Sequence, residues 1–141
     1  PFGKARTVIE ADTEKIDNSE SMVIITYGRG VYWSLEAAEK YKGRVEILDL
    51  RTLSPIDETA IFAAVKKHNR AMLVTEESIE ATFTLALAGK IQKECFKHLD
   101  APVEIIGSVD TPAIPLNSIL EAALLTNADK VEVGIERTLN F

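Results

Sequence analysis

The 141 residues fit one domain of ordinary size, and a composition of 46% hydrophobic and 27% charged residues supplies a real core rather than a disordered chain. A net charge of −6 argues against non-specific nucleic-acid binding, which needs clustered Lys and Arg, and favours a basic protein partner. No apolar run approaches the roughly 20 residues of a membrane span, no leader peptide is visible, and the lone Cys95 allows no internal disulfide, which suits a reducing, cytoplasmic setting.

Pro1 rather than Met opens the chain, as expected of a segment of something longer. Residues 1–21 are polar and charged and read as a linker and N-terminal extension, with one short extended candidate at Thr7–Ala11 and an exposed loop at Asp12–Ser21. The domain proper is expected over 22–141. Met22–Tyr27 (MVIITY) is a compact β-branched run closed by Gly28, hence a buried strand. Val31, Leu35 and Ala38 recur at helical spacing, with Glu36, Glu39 and Lys40 facing away, and Lys42-Gly43 ends that helix. Val45–Leu50 is the second buried strand.

Asp57 then has the chemistry of an N-cap, with Ile56 and Ile61 spaced as a hydrophobic staple, and the helix runs to about His68. Ala71–Thr75 is a third strand. A long helix is expected over Glu80–Leu99, with Phe83, Leu87, Ile91 and Cys95 on one stripe, and Ala101-Pro102 ends it. Val103–Ile106 is a fourth strand, Pro112 and Pro115 mark an irregular loop, and Leu116–Leu125 is helical. In the tail, Val131, Val133 and Ile135 alternate as in a strand. Val131, Ile135 and Leu139 also repeat as in a helix behind a capping Asn127, and helix is preferred. Alternating strands and helices with short connections imply parallel strands and a three-layer α/β/α sandwich.

Candidate chemistry is sparse. Tyr27-Gly28-Arg29-Gly30 follows a strand and opens a helix, where phosphates bind. The third glycine of the dinucleotide fingerprint falls on Trp33 and no P-loop lysine follows, so a tight turn is the better reading. Glu76-Glu77 ends a strand, yet neighbours on an extended chain point to opposite sides and do not converge on a metal. His68 and His98 lie near helix C-termini, where the helix dipole favours them. Cys95 reads as a small buried hydrophobe, and Tyr32 and Trp33 as packing or interface residues. No triad, metal cluster or phosphate cradle stands out. The residues alone describe a non-catalytic α/β domain of a larger cytosolic protein.

Four blocks occur in one order: ITYGRGVYWSLEAAE (Ile25–Glu39), LDLRTLSPIDETAI (Leu48–Ile61), LVTEE (Leu73–Glu77) and LDAPVEIIGSVDTPAIP (Leu99–Pro115). Together they resemble the C-terminal, transketolase-C-type domain of the beta subunit of thiamine-dependent 2-oxo acid dehydrogenases. Pro1–Ala5 resembles the segment joining this domain to a preceding pyrimidine-binding domain. The resemblance implies a mixed five-stranded sheet, mostly parallel with one antiparallel edge strand. It also implies a division of labour. Thiamine diphosphate and Mg²⁺ are bound by other domains, the 2-oxo acid is decarboxylated there, and the acyl unit passes to lipoyl groups. The C-terminal domain supports oligomer assembly and helps dock the lipoyl-acyltransferase subunit-binding domain. On this reading the chain carries no catalytic, cofactor-binding or metal-binding residue of its own.

Thr75 and Glu76 fall at positions near the active-site entrance of such enzymes, where many relatives carry His-Glu. Here Thr75 stands in place of the His. Ala81-Thr82-Phe83-Thr84 replaces a Gly-Gly-Phe-Gly turn, which removes positive-φ freedom and is expected to extend the helix. Arg29, Arg51 and Asp57 are expected to serve turns or interfaces, Asp57 as a cap and Arg51 in an ion pair across a domain or subunit boundary. Two rival functions remain open: the matching domain of a transketolase or deoxyxylulose-phosphate synthase, and a stand-alone small-ligand domain using the Gly28–Gly30 turn.

Overall fold

The computed structural model describes residues 1–141. Five strands form one sheet: β1 (Arg6–Ile9), β2 (Met22–Thr26), β3 (Val45–Asp49), β4 (Ala71–Ser78) and β5 (Glu104–Ser108). Their order is β1-β3-β2-β4-β5. β1 pairs antiparallel with β3, and every other neighbouring pair is parallel. The antiparallel edge strand thus comes from the N-terminal extension. Five helices complete the fold: α1 (Gly30–Ala38), α2 (Glu58–His68), α3 (Phe83–Cys95), α4 (Ser118–Leu124) and α5 (Ala128–Leu139).

The pleat divides the core in two. Val23, Ile25, Leu48 and Leu73 point to one face and pack against Ile61 and Val65 of α2 and Leu87, Ile91 and Cys95 of α3. Met22, Ile24, Ile47 and Met72 point to the other and meet Ala37 and Ala38 of α1 and Val131, Ile135 and Leu139 of α5. Both faces are covered, so β2 is buried at every residue and reads as a continuous apolar run rather than an alternating one. The three layers follow directly.

Local chemistry sets the helix ends. The Asp57 carboxylate accepts from the amide of Ala60 at 3.2 Å and starts α2. Ile56 and Ile61 lie in the same core cluster, as a staple requires. Asn117 caps α4 and Asn127 caps α5. The tail is therefore helical. Gly134 inside α5 is a packing necessity, because a Cβ there would lie 2.6 Å from Met72 Sδ and 2.9 Å from Ile106 Cδ1.

α3 departs from expectation. It begins at Phe83 rather than Glu80, and its last regular residue is Cys95, followed by a 3₁₀ turn at Phe96–His98. Losing the glycines of the relatives' turn does not lengthen the helix. Ala81 adopts φ +51° regardless, Thr82 is extended, and the Thr82 hydroxyl donates to the carbonyl of Ile79 at 3.1 Å. β4 in turn runs three residues past Thr75, to Ser78. The Asp12–Ser21 loop contains one 3₁₀ turn, Asn18–Glu20, held by a capping box between Asp17 and Glu20.

Candidate functional site

The carboxyl ends of parallel strands are where open α/β sheets present ligand-binding loops. Here the chain leaves β2 at Tyr27, β3 at Leu50 and β4 after Ser78. Gly30 lets α1 start hard against the sheet: a Cβ there would sit 2.2 Å from Thr26 Oγ1 and 3.1 Å from the carbonyl of Val74. The Thr26 hydroxyl donates to that same carbonyl at 2.9 Å. The Gly28–Gly30 turn is accordingly built for close packing.

A cavity of about 400 Å³ opens above it, lined by Tyr27, Arg29, Leu53, Thr75, Glu76, Glu77, Phe83 and Ile114, among others. Tyr27 is its organising residue. Its hydroxyl donates to the Glu77 carboxylate and lies 3.0 Å from Thr75 Oγ1. Its ring meets Phe83 edge-on, centroids 6.0 Å apart. Burial, reinforced by the neighbouring Glu77 carboxylate, pushes the Tyr27 phenol up to about 12 against a smaller opposing effect of Thr75. Tyr27 therefore remains a neutral donor at physiological pH.

Thr75 and Glu76 both line this cavity. Thr75 is buried, with its hydroxyl engaged by Tyr27 and by the amide of Glu77. Glu76 points to solvent. Sequence reasoning singled out Glu76, yet it is Glu77 that joins the hydrogen-bonded group. The extension of β4 through both residues places them on opposite sides, as the alternation argument requires.

The connection after β3 is a local construction. Arg51 has φ +60°. Its amide donates to Asp49 Oδ1 at 3.1 Å, and its guanidinium lies 3.8 Å from Asp49 Oδ2. Asp57 does more than cap. Its Oδ2 also accepts from the amide of Ala5 at 3.2 Å and sits 3.7 Å from Lys4 Nζ, fastening the N-terminal arm to α2. Burial opposes the Asp57 charge, but the amides of Ala60 and Ala5 and the charge of Lys4 together hold its carboxyl below the usual range. Arg29 lies over the Trp33 ring, 5.4 Å from its centroid. Tyr32 is well exposed. Cys95 is fully buried, and burial pushes its thiol up.

At the opposite end of β2 lies a group that the sequence did not reveal. His68 is fully buried, with Nε2 2.8 Å from Glu46 Oε2 and Nδ1 2.8 Å from Ser21 Oγ. Lys67 Nζ donates to the same Glu46 oxygen at 2.7 Å. A carboxylate only accepts, so Nε2 carries the proton and, in the neutral ring, Nδ1 accepts from the serine. This network replaces the helix-dipole explanation of His68. Its order, Ser-His-Glu, is that of a hydrolytic triad, but Ser21 is fully buried and presents no nucleophile to solvent. It stitches three elements together. The only sequence signal was a histidine facing the apolar side of α2. His98, by contrast, is exposed in its 3₁₀ turn.

No group of three or more His, Cys, Asp or Glu side chains is placed to hold a metal ion, and no helix is long and apolar enough to cross a membrane. A mixed five-stranded sheet covered on both faces, with a cavity at the strand ends, defines an α/β domain of the transketolase C-terminal type. The chain belongs to the family described as transketolase, C-terminal domain, which matches residues 11–131. It is 33% identical over 144 residues to the 2-oxoisovalerate dehydrogenase subunit beta of Bacillus subtilis (strain 168), covering 100% of this chain and 42% of that protein. It is 40% identical over 125 residues to the mitochondrial pyruvate dehydrogenase E1 component subunit beta of Saccharomyces cerevisiae, covering 84% of this chain and 33% of that protein. Among solved structures it resembles a split gene transketolase described as an inactive beta4 tetramer, with a TM-score of 0.75, 17% identity, and coverage of 99% of this chain and 43% of that one. The resemblance drawn from the four sequence blocks is thus borne out. The chain spans about two-fifths of the length of the curated relatives it matches.

Proposed function

We propose that this chain is the C-terminal assembly and docking domain of the beta subunit of a thiamine diphosphate-dependent 2-oxo acid dehydrogenase, working in the cytoplasm. The observation that carries this reading is the identity to dehydrogenase beta subunits along the full length of the chain. Residues 1–21 then join it to a preceding thiamine-binding domain, with β1 folded back as the sheet edge.

The donor set here does not fit thiamine diphosphate and Mg²⁺. No acidic cluster is placed for a metal, and Gly30 serves close packing of α1 on Thr26 and Val74. No step of the reaction is therefore assigned to these residues, and the isolated domain is expected to be inactive. Its part is to hold subunits together and to receive the lipoyl-acyltransferase subunit-binding domain. Two features support that part. The net charge of −6 suits a basic partner module. In addition, Val109, Ile114, Leu116, Ile119 and Leu120 are all exposed within the segment after β5, apolar side chains that a partner could cover. Thr75 and Glu76 would lie toward the active-site entrance, and the Arg51 guanidinium, exposed although it pairs with Asp49 within its own turn, would face a domain boundary.

Calorimetric titration with an isolated lipoyl-acyltransferase subunit-binding domain tests this. Saturable binding that weakens with rising salt is expected. Absence of binding at low salt would favour the transketolase-type alternative, which uses no lipoyl partner.

A further inference from the structure

A second cavity, about 300 Å³, lies between the start of α1 and the α4–α5 connection, and its lining includes Arg29, Trp33, Glu121, Ala122, Leu125 and Thr126. It carries one charge of each sign. Arg29 and Glu121 share the cavity, yet neither forms an ion pair with the other or with any other residue within 4.0 Å. The Arg29 guanidinium is instead placed over the face of Trp33, a contact that favours one position of the cation without neutralising it. Thr126 lines the same cavity, and its hydroxyl is buried without any hydrogen-bond partner. Buried hydroxyls are nearly always paired, so this one has unused capacity.

We propose that this cavity binds a free α-amino acid with an apolar side chain. An unpaired cation and an unpaired anion in one cavity suit a ligand carrying both opposite charges. The planar guanidinium of Arg29 matches a carboxylate with two parallel hydrogen bonds. Glu121 accepts from the ammonium group, and Thr126 is a lining residue of the same cavity. Ala122 and Leu125 supply apolar surface for the ligand side chain. A simple anion such as phosphate meets repulsion from Glu121, and a simple cation meets repulsion from Arg29. The site stands on the geometry of this chain alone and does not depend on the assembly reading.

Trp33 is the only tryptophan in the sequence, so its fluorescence reports directly on the cavity. The experiment titrates the 141-residue chain with L-leucine. Two analogues lacking one charge each, 4-methylpentanoate and 3-methylbutylamine, and inorganic phosphate are titrated in parallel. The expected result is a saturable change with L-leucine, with half-saturation below about 10 mM. Both analogues should bind at least about tenfold more weakly, as should Arg29→Gln and Glu121→Gln with L-leucine, each the equivalent of about 1.4 kcal/mol. Both variants lie outside the buried core, and unchanged thermal unfolding assigns their loss to the site. If either melts early, the single-charge analogues on the unaltered chain decide the matter. No saturation with L-leucine, equal binding of 4-methylpentanoate, or tighter binding of phosphate would overturn the proposal.

Discussion

At the scale of single residues, Glu46 shows how a buried charge is tolerated. Burial works against its ionised form, but hydrogen bonds from His68 and Lys67 outweigh that and hold its carboxyl below the usual carboxylate range. The sign of the linkage follows. A depressed folded-state value gives stability that is present above the unfolded carboxylate value, roughly 4.3, and is lost as pH falls through the lower folded value. Replacing Glu46 with Gln removes the charge and leaves His68 and Lys67 without their shared anion, so we expect a loss of about 1–3 kcal/mol near neutral pH. The acid limb of the stability profile should flatten with it. Urea unfolding of both proteins across the acid range checks this, and parallel acid limbs would show that Glu46 carries no such linkage. His68 is the lesson here. Its position at a helix C-terminus suggested a dipole interaction, and nothing in the sequence joined it to Ser21, 47 residues earlier. Such pairings depend on strand order, which spacing along the chain does not encode.

Among the elements, those with local signatures were legible. Asp57, Asn127, the MVIIT and VEILD runs and the Leu87–Ile91–Cys95 stripe each announce their structure through chemistry contained in a few residues. Legibility failed where a neighbour overrides propensity. Ala81 carries no sign that it will take a left-handed conformation, yet doing so lets β4 run on to Ser78 and delays α3 to Phe83. Gly134 weakened the case for a tail helix because the close approach of α5 to Met72 was invisible. In the candidate site, Glu76 was marked by the resemblance, and nothing in the sequence joined its neighbour Glu77 to Tyr27, 50 positions away.

The role of Asp57 also belongs to this scale, since one carboxylate starts α2 and fastens the arm that carries β1. Asp57→Ala removes the acceptor for both Ala60 and Ala5. We expect a destabilisation of about 1–2 kcal/mol. It should be read as a lower urea midpoint with an unchanged slope, together with faster amide exchange in Arg6–Ile9. An unchanged midpoint would remove the cap from the account.

For the whole molecule, the division of surfaces matters more than any one residue. The two faces of the sheet are closed by helices. The ends of its central strands are not equivalent: one is sealed by the Ser21–His68–Glu46 network, the other opens on Tyr27, Thr75 and Glu77. The segment after β5 exposes several apolar side chains, and one of them, Ile114, lines the cavity at that open end. On the proposed function, the open end is the one that meets other parts of a larger enzyme. The measurement that tests this most directly is the sequence of the reading frame upstream of Pro1. A pyrimidine-binding thiamine domain is expected there, with its catalytic acid, joined to this chain without a break. A frame that opens immediately before Pro1 would contradict it and leave a stand-alone binding role in its place.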